Sequence, residues 1–143
     1  MKPTLPGLLR GSFIAGAAYF AAVSLGHALS WKVPGIYVYF SVPSRRYQDA
    51  IISFLSIGWS FLFYAASQES APRRPATGAA LASGFAALVG LALINSGPDM
   101  LRVPPGRGTE PFWVATALGL VYWILLASLT FLTRSRSRSV TPE

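Results

Sequence analysis

The sequence predicts an all-α membrane protein: a bundle of four transmembrane helices forming a single integral membrane domain over 1–143, with an aromatic extended loop between the first and second helices. Three observations carry that prediction. Four stretches, 11–29, 50–67, 77–96 and 112–133, hold no Asp, Glu, Lys or Arg. Each comes close to the roughly 20 apolar residues that cross about 30 Å of hydrocarbon. Charged residues make up 12% of the chain and hydrophobic residues 52%, about half the charge density of a soluble domain. The later spacers, "SQESAPRRPATG" and "GPDMLRVPPGRGTE", are polar and punctuated by Gly and Pro. Backbone groups in lipid must find partners within their own segment or a closed barrel. Segments of helical length without ten-residue alternation select helices.

The first span, 11–29, follows Lys2 and Arg10 and carries Ala18, Ala22 and Gly26 on one stripe. A competing reading makes it a cleaved signal, because Ala28, Leu29 and Ser30 resemble a small-x-small site. The length of the apolar run favours a retained helix. The second span, 50–67, is bulky, with Phe54, Trp59, Phe61, Phe63 and Tyr64. The third, 77–96, is the opposite: Gly78, Ala82, Ala86 and Gly90 recur every four residues, beside Ala79, Ser83 and Ala87. Small residues at that spacing let helix backbones approach closely. This predicts a central third helix packed through the Gly78–Ala82–Ala86–Gly90 row, with a homodimer seam as the alternative use. The fourth span, 112–133, again carries the bulk, with Phe112, Trp113, Tyr122, Trp123 and Phe131. Trp31, Tyr64 and Trp113 fall near span ends, where aromatic belts lie.

The net charge of +7 could suggest nucleic acid, but the basic residues flank the apolar segments. Lys and Arg there orient the chain and meet lipid headgroups, and the tail "TRSRSRS" reads the same way. With the N-terminus inside, Lys2, Arg10, Arg73, Arg74, Arg134, Arg136 and Arg138 face the cytoplasm, against Lys32, Arg45, Arg46, Arg102 and Arg107 outside. The bias puts both termini in the cytoplasm of a cell inner (plasma) membrane.

The stretch "GIYVYFSVPSRRYQDAI" stands apart. Residues 36–42 are β-branched and aromatic, which favours extended backbone, and Pro43 ends the run. Ser44 is placed to cap the second helix, and Asp49 to meet its positive dipole end. That accounts for the stretch as connection and anchor. The functional account makes Arg45, Arg46, Tyr47, Gln48 and Asp49 a recognition cluster, because five consecutive hydrogen-bonding residues exceed what a cap needs. The segment "FSVPSRRYQDAIISFLSIGWSFLFY" resembles the middle of small uncharacterised bacterial four-helix integral membrane proteins, in which a Val-Pro-Ser turn and Tyr-Gln-Asp lead into an aromatic span. The likeness covers about residues 27–64. It implies an integral-membrane fold and transfers no catalytic residues.

Several chemistries fall away. There is no cysteine, hence no disulfide, thiolate catalysis or thiolate metal site. His27 is the only histidine, so bis-histidine haem and histidine-clustered metal sites are excluded. No carboxylate lies inside a predicted span, which argues against proton-coupled export. No Walker or dinucleotide glycine pattern is present. No catalytic residue, cofactor or metal is expected. The leading reading is a non-enzymatic accessory or assembly subunit that recognises a partner or lipid through the 31–49 loop. Its expected partners are membrane lipids and either a membrane-protein partner or further copies of itself. A small oligomeric channel or transporter without an intramembrane charge is the alternative. A lipid- or quinone-handling enzyme using His27, Tyr47 and Asp49 comes third.

Overall fold

The computed structural model describes residues 4–31, 33, 46–70, 74–97 and 110–138, the last with side chains at 112–135. Four helices run through them: α1 (Leu5–Ala28), α2 (Arg46–Gln68), α3 (Pro75–Asn95) and α4 (Glu110–Arg138). All four are long and apolar enough to cross a membrane. At 1.5 Å per residue the shortest is about 31 Å long. The predicted aromatic loop at 34–45, including Ser44 and Arg45, lies outside the described residues.

Local chemistry sets the helix ends. Thr4 caps α1, its Oγ1 accepting from the Gly7 amide at 3.3 Å, and Pro6 sits in the first turn, where no amide partner is lost. At the other end the Trp31 amide donates to the Gly26 carbonyl at 2.7 Å and the Ser30 amide to His27 at 3.2 Å. This is a Schellman ending with Ser30 at φ 56°, where glycine is usual. Pro75 opens α3, but its N-cap residue, Arg74, makes no side-chain cap bond. Glu69 caps it from the preceding turn instead, taking the Ala76 amide at 2.6 Å and the Thr77 amide at 2.8 Å.

The helices form an antiparallel ring. α1 packs on α2 and α4, and α3 packs on the same two. α1 and α2 share the most extensive contact. The core gathers Leu9, Phe13 and Ala17 from α1, Phe63 and Ala66 from α2, Ala80 from α3, and Leu126 and Leu129 from α4. Phe63 is its hub: edge-on to Phe13 at 5.7 Å and to Phe20 at 5.3 Å, and stacked on Tyr122 at 6.2 Å. Gly16 faces this cluster. A Cβ there would run into the Phe63 ring and the Tyr122 hydroxyl, so α1 approaches both neighbours only because the residue is glycine.

The packing corrects the expectation for α3. A third of the α1 span is buried (33%), but only 11% of the α3 span, the least of the four. Gly78, Ala82 and Ala86 are exposed and Gly90 half-buried, and a Cβ at Gly78 or Gly90 would meet nothing within 4 Å. α3 packs instead through the side bearing Thr77, Ala80, Gly84 and Asn95. There the Trp123 indole donates to the Leu81 carbonyl at 2.8 Å. Leu81, Gly84 and Leu88 meet Trp123 or Gly119 of α4, whereas the two glycines of the predicted row meet no described neighbour. On α1, Ala18 and Ala22 likewise face outward, while Gly26 is buried.

Candidate functional site

Polar side chains in an apolar bundle need partners, and here they line the α1–α2 contact. The Ser60 hydroxyl donates to the Ala17 carbonyl at 2.8 Å. One rung further, Ser24 and Ser53 join hydroxyl to hydroxyl at 3.1 Å. At the end of the seam His27 Nδ1 meets Asp49 Oδ1 at 3.1 Å. On α2, Asp49, Ser53, Ser56 and Ser60 follow spacings of four, three and four, which places them on one helix face. On α1, Ser24 and His27 are three apart. The antiparallel register therefore brings the two polar rows together.

His27 and Asp49 are both buried, at 7% exposure each. The tautomer with a proton on Nδ1 donates to the carboxylate oxygen. A buried ionisable pair is maintained by its mutual contact, since either group alone would be a poorly solvated polar residue. Asp49 also lies in the first turn of α2, where its charge meets the positive end of the helix dipole. Its position in that turn matches the sequence expectation; the direct contact with His27 was not part of it.

The predicted recognition cluster divides accordingly. Asp49 turns inward. Arg46, Tyr47 and Gln48 are exposed, Tyr47 at 75%. Arg45 lies outside the described residues. α2 runs from Arg46, one turn before the predicted span, so Asp49 lies in its first turn, just ahead of that span, and is buried between helices. The Ser24–Ser53 rung escaped the sequence analysis, and His27 and Asp49 were grouped there only in the third reading, together with Tyr47, which is exposed. The recurrence of Asp49, Ser53, Ser56 and Ser60 on one helix face was the signal available for them.

At the same end of the bundle a second polar contact joins α3 to α4. Asn95 Nδ2 donates to Thr116 Oγ1 at 2.9 Å and to the Phe112 carbonyl at 3.3 Å. Asn95, the last residue of α3, is buried and ties two helices. In the middle of the bundle a cavity of about 220 Å³ lies among Phe20, Trp59, Gly84, Leu88 and Trp123. The polar atoms of its Tyr122 and Trp123 walls are engaged by the Ser12 and Leu81 carbonyls, which leaves an apolar lining.

The seam holds two helices in register, carries one titratable imidazole–carboxylate contact, and presents three consecutive polar side chains to the exterior at its end. Comparison with known proteins adds no assignment: no family model, curated protein or solved structure matches the chain.

Proposed function

We propose that the protein is a non-enzymatic multi-pass subunit of a bacterial inner membrane, with both termini cytoplasmic, and that it recognises a partner membrane protein or lipid at the α2 entrance. One observation carries this reading: within a single turn Asp49 is pinned inward by His27, while Arg46, Tyr47 and Gln48 stand exposed. The buried pair fixes which way that turn faces. Arg46 supplies a charge suited to phosphate or carboxylate. Tyr47 supplies a rigid amphipathic ring of the kind that anchors interfaces. Using the imidazole to hold two helices together favours a binding role over catalysis.

The test is retention. Arg46→Gln and Tyr47→Ala are extracted in mild detergent alongside the native protein, at matched expression, and examined by native mass spectrometry. A co-purifying partner or lipid should be lost from both variants while helix content and melting stay unchanged. Unchanged retention removes the α2 entrance as the recognition surface. A reporter fused after Glu143 should be active in the cytoplasm; periplasmic activity reverses the proposed orientation.

A further inference from the structure

The opposite end of the bundle holds a larger cavity, of about 480 Å³, where the start of α1, the end of α2, the start of α3 and the end of α4 come together. Its wall combines Arg10, Arg74, Glu69, Ser67 and Gln68 with the apolar Leu9. The three charged groups are differently occupied. Glu69 spends both carboxylate oxygens on the α3 amides. Partial burial acts to raise its pKa, but the Thr77 and Ala76 amide bonds and the nearby Arg74 charge outweigh that and hold it below the ordinary 4.5 of a glutamate. It is therefore ionised at neutral pH and already committed as a cap. Arg74 donates Nη1 to Thr133 Oγ1 at 3.0 Å, while its Nε is buried without a partner. Arg10 reaches the cavity with no hydrogen-bond or ion-pair partner among the described residues.

We propose that this cavity binds a phosphate group. Two guanidinium groups face one committed carboxylate, so the wall carries excess positive charge. Arg74 Nε is shut off from solvent, so the groups that can meet a ligand are the guanidinium of Arg10 and the terminal nitrogens of Arg74, and a phosphate oxygen is the acceptor that guanidinium geometry suits best. The apolar side of the wall, Leu9 with Pro6 and Ala66, suits the glycerol and first methylenes of a phospholipid. A soluble phosphate would use the arginines alone. The site is independent of the α2 entrance, which lies at the other end of the helices.

The experiment uses the full chain in detergent micelles, titrated separately with phosphatidylglycerol, with diacylglycerol of the same chains, and with inorganic phosphate, and read by native mass spectrometry and calorimetry. Phosphatidylglycerol should bind at one saturable site and diacylglycerol should not. Inorganic phosphate binding as tightly as the lipid would identify a soluble phosphate as the source. Arg10→Gln should weaken the phosphate-bearing ligand about tenfold, the scale of one charge-assisted contact. Arg74→Lys tests the second contact without removing the charge. Arg134→Gln is the control: this arginine is exposed at the end of α4 and does not line the cavity, so its loss should change affinity less than twofold. Equal weakening by Arg10→Gln and Arg134→Gln would reduce the effect to diffuse surface attraction and overturn the proposal. So would the absence of saturable binding by either phosphate-bearing probe, or equal binding of diacylglycerol.

Discussion

The α1–α2 seam and the outward face of α3 are built from the same kind of small residue and do opposite things. In the seam, Gly16, Ala17, Ser24 and Ser60 bring backbones together, and their polar atoms close hydrogen bonds across the contact. On α3, Gly78, Ala82, Ala86 and Gly90 form a more regular row, yet no described neighbour fills the space beside its glycines. Lipid supplies no hydrophobic drive between helices, so an alanine gains little by turning inward. A serine, histidine or aspartate gains a partner by turning inward; Ser24, His27, Asp49 and Ser60 do so, while Ser83 and Ser128 stay exposed. Hydrogen bonds closed between helices therefore mark the packed face, and the spacing of small residues alone does not.

The most damaging way to break the seam is to fill its closest approach. Gly16→Leu should cost about 3 kcal/mol or more, at the upper end of overpacking, because Phe63 and Tyr122 already occupy the space. Gly16→Ala should cost about 1–3 kcal/mol. Thermal or detergent unfolding of the purified protein reads both. Wild-type stability for Gly16→Leu would mean that α1 does not sit against α2 and α4 as described.

The next effect separates the ionisable pair from ordinary packing. His27→Ala leaves the buried Asp49 carboxylate without its imidazole and should cost about 3 kcal/mol, as for other broken buried pairs. Asp49→Asn keeps an acceptor oxygen facing Nδ1 and should cost about 1 kcal/mol, the worth of one hydrogen bond. The double variant His27→Ala with Asp49→Asn should be more stable than His27→Ala alone. Additive losses would show that the two residues do not act as a pair.

These contrasts also show what was legible in the sequence. The four helices were, because roughly 20 apolar residues without a charge leave few alternatives. The predicted spans fall within the observed helices apart from Leu29 and Ser96, each the C-cap of its helix. The place of Asp49 in the first turn of α2 was legible too, but its contact with His27 was not, because periodicity within one helix does not give the register between two. The packing face of α3 was misread because spacing alone was weighed, while Thr77 and Asn95, the polar residues at its two ends, point to the face that packs. Glu69 could not be found by capping rules, since those look to the residue directly before a helix and its cap reaches from seven residues away.

Glu69 offers a milder and pH-dependent test of the other end. Its folded pKa lies below 4.5, so the stability it contributes is present above the unfolded value and disappears as pH falls through the folded one. Glu69→Ala should cost about 1 kcal/mol at neutral pH, the scale of a lost cap. The difference between variant and native protein should shrink below about pH 4.5. A difference that persists undiminished at pH 3 would assign the effect to packing and not to the ionised cap.

The smallest expected effect is the sharpest test of the comparison. If the α3 row is uncovered, Ala82→Leu and Ala86→Leu exchange one good helix former for another on an exposed face. Each should then shift the unfolding midpoint by an amount worth less than about 0.5 kcal/mol, the scale of surface substitutions. The same change at a buried small position, Ala80→Leu, should cost about 1–3 kcal/mol, because Ala80 is 2% exposed within the core. Three variants on one helix, differing only in face, thus separate spacing from burial as the cause of packing. A loss above about 1 kcal/mol at Ala82 or Ala86, accompanied by a change in particle mass, would mean that a second copy covers the row. The small residues would then serve contact between chains, and the polar seam would remain the device that orders the helices within one.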